Sequence, residues 1–124
     1  MELTTGETLS FDYLTVATGA TPRLPDISGL DLDGIFSLRN VSDAIRIKSF
    51  IQERNVKSSV IVGAGLVSLE VCEAFRRLGL ETTVIYRKAL PMRRLGEDFA
   101  EQILVELETN GATFMGETNL QGFE

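Results

Sequence analysis

The chain has no histidine, no tryptophan and a single cysteine, Cys72. One cysteine cannot form a disulfide within the chain, and without histidine the usual zinc donor sets are out of reach. No metal ligands are therefore assigned. The missing histidine also removes the commonest general acid–base group. No apolar run approaches the roughly 20 residues that a membrane-spanning helix needs, and the N-terminus lacks a signal-peptide pattern. A cytoplasmic location is the resulting expectation. Positive charge is in short supply, with 12 Lys and Arg against 18 Asp and Glu, a net charge of −6. That balance argues against nucleic acid as a partner. What remains is 124 residues of ordinary apolar and charged content, enough for one modest domain with a real core.

Against this background one stretch stands out, Ser59-Val60-Ile61-Val62-Gly63-Ala64-Gly65-Leu66-Val67-Ser68-Leu69-Glu70. A β-branched apolar run, a Gly-Ala-Gly turn and an apolar helical pattern read as strand, turn and helix. That is the opening of a dinucleotide-binding βαβ unit. Gly63 lets the chain turn out of the strand, and Gly65 lets the backbone approach a pyrophosphate. Ser68 takes the third small position, where helix packs on strand. The helix starts at about Gly65, so the free N–H groups of Ala64, Gly65, Leu66 and Val67 and the positive dipole end face the phosphates. Leu66, Leu69, Val71, Ala74, Phe75 and Leu78 form its apolar face, and Gly79 stops it. Glu81 to Tyr86 then reads as a second strand.

The remaining elements follow from local signals. Leu3 to Leu9 suggests a hairpin turning at Thr5-Gly6-Glu7, and Phe11 to Ala17 an apolar strand ended by Thr18-Gly19. Pro22, Pro25 and Gly29 mark a linker. Gly34 to Leu38 is a further strand candidate, and Ser42 is placed to cap a helix running to about Arg54. Arg87 to Arg94 forms a loop. A helix over 97–109 is predicted from its acidic first turn and its apolar Phe99, Ile103, Leu104 and Leu107, with Asn110-Gly111 as its cap. Ala112 to Met115 is a third strand, and residues 116–124 carry no motif. The expected fold is α/β, a Rossmann-like three-layer parallel sheet with flanking helices, with right-handed crossovers and Val60 to Val62 near the sheet centre.

Tyr13-Leu14-Thr15-Val16-Ala17-Thr18-Gly19-Ala20, followed by Leu24-Pro25 and Gly29, resembles the exit from the FAD domain of pyridine nucleotide-disulfide oxidoreductases. Ser37-Leu38-Arg39 with Asp43-Ala44, and then Val62-Gly63-Ala64-Gly65 with Leu69-Glu70, is similar to that family's entry into its NAD(P)H domain. The likeness covers residues 7–116 and is nearest to the rubredoxin reductase, NADH oxidase and coenzyme A-disulfide reductase type. It implies a division into residues 1–20, a C-terminal remnant of an FAD domain contributing a short β segment, 21–33, a linker, and 34–124, an NAD(P)H-binding domain truncated at its C-terminus. It also implies FAD and a homodimer for the full-length protein, with Thr18 and Gly19 near the FAD and the fragment alone inactive. The family's N-terminal FAD fingerprint, its redox cysteines and its dimerisation domain have no counterpart in the sequence. By the same resemblance Glu70 reaches toward the nicotinamide, from the strand-facing side of its helix, as the one catalytic candidate. The electron acceptor is open among disulfide, oxygen, rubredoxin, ferredoxin and nitrite-type partners.

Charge bears on the cofactor. Where NAD-binding units place an acid at the end of the second strand, this chain has Tyr86. Arg87, Lys88, Arg93 and Arg94 follow within eight positions that hold no acid, leaving 8 basic residues against 18 acidic ones elsewhere. By resemblance, Arg87 and Arg93 stand where NADPH-specific members put two arginines on the 2′-phosphate. NADPH is the expected cofactor, with NADH possible. The alternative is a non-catalytic nucleotide-sensing or interaction module with a Rossmann fold.

Overall fold

A computed structural model describes all residues, 1–124. Its ordered frame is three helix–strand repeats. These are α1 (Val41–Glu53) with β1 (Ser58–Val62), α2 (Leu66–Arg77) with β2 (Glu81–Ile85), and α3 (Glu97–Thr109) with β3 (Thr113–Met115). The strands form one parallel sheet in the order β1-β2-β3. Ser58 lies opposite Glu81 and Val62 opposite Ile85, while Thr83 lies opposite Thr113 and Ile85 opposite Met115.

Each helix ends by the same device. A residue at positive φ follows the last turn, and two backbone N–H groups return to helical carbonyls in a Schellman motif. In α2, Gly79 (φ 80°) donates to Arg76 at 2.9 Å and Leu80 donates to Phe75 at 3.1 Å. Gly111 and Ala112 repeat this on Glu108 and Leu107, and Asn55 and Val56 on Gln52 and Ile51. The strand starts one or two residues later in every case. The third stop, Asn55 at φ 49°, is the one the sequence reading did not single out.

Parity along the strands sorts their side chains. Ile61, Val84 and Phe114 share a face with Cys72 and Phe75 of α2 and Leu107 of α3, forming the core cluster. Both helices thus lie on one face, as two crossovers of one hand moving in one direction require. On the other face Val60 and Val62 remain 57% and 51% exposed. Buried Thr82 accepts from the Ser59 hydroxyl and donates to the Leu80 carbonyl, so it leaves no polar atom unpaired.

Four expectations need correction. The central strand is β2, and Val60 to Val62 form an edge, because the chain supplies no strand on the far side of β1. The cap of α1 is Asn40, whose side chain accepts from the Asp43 N–H while Asp43 accepts from the Asn40 N–H. Ser42 has no such reciprocal partner and falls inside the first turn. Phe11 to Ala17 and Gly34 to Leu38 form no strands. A strand requires a paired neighbour, and residues 10–27 make no backbone hydrogen bond at all. The N-terminal hairpin does form, as a Glu2–Thr8 bridge turning at Thr4 to Gly6. No helix is long and apolar enough to cross a membrane.

Candidate functional site

The site grows out of the end of β1. Gly63 sits at φ 113°, a backbone state that side chains rarely adopt, and its N–H donates to the Ile85 carbonyl at 2.8 Å. A Cβ there would also stand 3.4 Å from the Ser68 hydroxyl, so the turn and the first helical turn of α2 are in contact at Ser68. Gly65 differs. Its backbone (φ −89°, ψ 179°) suits any residue, and a Cβ built on it would meet nothing within 4 Å. Nothing in the fold itself calls for glycine at this position, whereas a ligand lying against the backbone would.

As the N-cap of α2, Gly65 brings no side-chain acceptor, and the first helical bond runs from Leu69 to the Gly65 carbonyl. The N–H groups ahead of Leu69 are therefore free, at the positive end of the helix dipole. Leu66 and Val67 project exposed from this turn, and Ser68 is half-buried.

The basic loop begins where β2 ends. Tyr86 is half-buried against the core cluster, and Arg87, Lys88, Arg93 and Arg94 are exposed. Pro91 is fully buried, and the Met92 N–H donates to the carbonyl of buried Ala64 at 3.1 Å. That bond ties the loop to the glycine turn. Arg93 and Arg94 follow immediately in a 3₁₀ turn, Arg93–Leu95. No acid falls between Glu81 and Glu97. The tie at Pro91 and Met92 was not legible in the sequence, since a lone proline in a loop carries no partner information.

Glu70 is exposed and forms neither an ion pair nor a hydrogen bond. It lies two residues before fully buried Cys72, about 200° around the helix at 100° per residue. It therefore faces away from the strands, which corrects the expected orientation. Thr18 and Gly19 lie in the exposed stretch 4–26, remote from any hydrogen-bonded partner, and form no cradle with the glycine turn. Burial pushes the Cys72 thiol above its ordinary range, with Arg76 pulling partly the other way. A concave surface on α3 lined by Asp98, Glu101 and Gln102 is acidic and opposes phosphate.

The model for pyridine nucleotide-disulphide oxidoreductases matches residues 1–124. The chain belongs to that family. It is 38% identical over 109 residues to the NADH oxidase of Methanocaldococcus jannaschii, covering 86% of this chain and 24% of that one. Among solved structures, the reduced CoADR-RHD of Bacillus anthracis superposes with a TM-score of 0.82 at 27% identity, covering 86% of this chain and 19% of that one. An engineered water-forming NADPH oxidase bound to NADPH, made from the Lactobacillus brevis NADH oxidase, gives a TM-score of 0.77 at 27% identity. There the overlap is 86% of this chain and 23% of that one. The chain thus spans about a quarter or less of the length of these family members.

Proposed function

We propose that this chain is the NAD(P)H-binding part of an FAD-dependent oxidoreductase and that it prefers NADPH. The observation that carries the proposal is the basic loop without an acid, tied by its backbone to a glycine turn that leaves room for a pyrophosphate. The residues fit the dinucleotide. Gly65 and the free N–H groups of α2 suit the diphosphate, and Ser68 keeps the helix close. Arg87 and Arg93 carry guanidinium forks that match a 2′-phosphate bidentately, with Lys88 adding charge. Tyr86 removes the carboxylate that would repel that phosphate.

Support also comes from the engineered NADPH oxidase. Its five substituted positions are spaced 18, 1, 1 and 5 residues apart. Ser68, Tyr86, Arg87, Lys88 and Arg93 have that same spacing here. The engineering removed an aspartate at the second position and introduced arginine at the third and fifth. At the same spacing this chain has no acid at the second place and arginine at the third and fifth, while the fourth is Lys88 where the engineered protein has serine.

When bound, a nicotinamide and a flavin would supply hydride-transfer chemistry to the whole protein. This chain's share is to bind and orient the nucleotide, with Glu70 near the nicotinamide end. Flavin binding belongs chiefly to the rest of the protein, with residues 1–20 as the exit of that domain and 34–124 as the nucleotide domain. The test is the double variant Arg87→Ala, Arg93→Ala. It is expected to cost NADPH affinity about 2–5 kcal/mol and NADH affinity much less. Calorimetric titration with both cofactors measures it, and equal losses would make the loop a general surface feature.

A further inference from the structure

The arginines recognise a phosphate only if the loop that carries them is held in place, and the structure shows what holds it. Tyr86 donates its N–H to the Met115 carbonyl at 2.9 Å and accepts from the Thr118 N–H at 3.0 Å. Lys88 accepts from the Glu117 N–H at 3.2 Å. Arg87 is thus flanked on both sides by residues pinned to the segment that leaves β3. Between these bonds the two segments pass each other at Gly116 with no room for a side chain. A Cβ there would stand 2.8 Å from the Ala89 carbonyl oxygen and 3.1 Å from that of Lys88, both backbone atoms. Gly116 is not among the residues at positive φ, so glycine is needed at this position for space and not for conformation. The Thr118 hydroxyl donates to the Gly116 carbonyl at 2.9 Å and fixes the turn.

We propose that Gly116 is a positioning residue for cofactor choice: by having no side chain it lets the basic loop lie against the exit of β3, which sets Arg87 and Lys88 toward the 2′-phosphate. The inference rests on the NADPH reading given above. It reaches further, because it assigns a role in specificity to the segment leaving β3, whose residues touch no part of the nucleotide in that reading. A methyl group at 116 must push the carbonyls of Lys88 and Ala89 away, since a contact of 2.8 Å to backbone cannot be relieved by a side-chain rotation. The displacement falls on Lys88 and Ala89, directly beside Arg87, and reaches the glycine turn only through Met92, three residues further along the loop.

The experiment is a titration of the full chain with NADPH and with NADH, for wild type, Gly116→Ala, Arg87→Ala with Arg93→Ala, and the triple variant. Gly116→Ala is expected to weaken NADPH roughly fivefold or more, the scale of one impaired charge-assisted hydrogen bond, while NADH changes less than about twofold. In the background without the two arginines the Gly116→Ala effect on NADPH must shrink to the small remainder that Lys88 carries, which a merely structural role would not produce. Thr118→Ala, which removes the turn's hydroxyl bond and introduces no clash, must move the ratio in the same direction by less. It serves as the decisive variant if Gly116→Ala fails to fold by circular dichroism. If the arginines govern the NADPH/NADH ratio but neither Gly116→Ala nor Thr118→Ala changes it, the positioning role is wrong and the NADPH reading stands. If the arginine pair itself leaves the ratio unchanged, the NADPH reading fails first.

Discussion

Two glycines two residues apart, Gly63 and Gly65, illustrate how differently one residue type can be required. Gly63 is demanded by its own conformation, with φ at 113° and Ser68 close by. Gly65 has an ordinary backbone and open space where a side chain would point. A valine at 65 should leave the fold intact, since its β-branched side chain suits the extended φ and ψ. It should also block the diphosphate, and a clash of about 1–3 kcal/mol lowers affinity roughly ten- to hundredfold. Calorimetry on Gly65→Val with an unchanged dichroism spectrum would bear this out, and binding of wild-type strength would remove Gly65 from the site. Glu70 makes a contrasting case, exposed and unpaired. Glu70→Ala should change NADPH affinity less than about twofold, because charge-assisted contacts to phosphates carry most of the binding. In the flavin-containing protein it should slow flavin reduction by NADPH in stopped-flow absorbance. An unchanged rate would make Glu70 a solvated helix carboxylate.

Among the elements, α1 depends most on its ends, because none of its residues is fully buried. The Arg39 and Asn40 N–H groups donate to the Asp43 carboxylate at 2.9 and 3.0 Å and hold its pKa below the usual aspartate value. A carboxylate depressed in the folded state contributes stability that is complete above the unfolded pKa and lost as pH falls through the folded one. The midpoint temperature of wild type should therefore fall more steeply below about pH 4 than that of Asp43→Ala. Parallel curves would show that the capping box carries no stability. Local signals made α3 legible to the residue, since Glu97 and Asp98 open it and Gly111 closes it. They misplaced the start of α1, because Asn40 and Ser42 are both good caps and only the reciprocal bond with Asp43 decides between them. Phe11 to Ala17 has the composition of a strand, but composition cannot supply the neighbour that a strand pairs with. The glycine turn was readable from spacing alone. The anchoring of the basic loop through Met92 and Gly116 was not, because it joins backbone atoms far apart in sequence.

Taken whole, the molecule exposes 9760 Å² at 13.6 kDa, whereas a compact monomer of that mass exposes about 6,600 Å². The stretch 4–26 is exposed throughout, with Tyr13 at 95%, and the sheet face with Val60 and Val62 is uncovered. The small core of Ile61, Val84, Cys72 and their neighbours lies under the opposite face, and the glycine turn and the loop leave the C-terminal ends of the strands that build it. Across a chain of net charge −6, the loop from Arg87 to Arg94 is a local reversal of sign. A long-range field of the whole molecule would repel both cofactors, so any preference for the more negative one must come from contacts at short range. The most direct measurement is the ratio of the dissociation constants for NADPH and NADH with the unaltered chain, at low and at raised salt. Binding through Arg87 and Arg93 predicts NADPH tighter by at least about tenfold at low salt, with the gap narrowing as salt screens Lys88 and Arg94. A chain that binds NADH as tightly as NADPH, or more tightly, would contradict it.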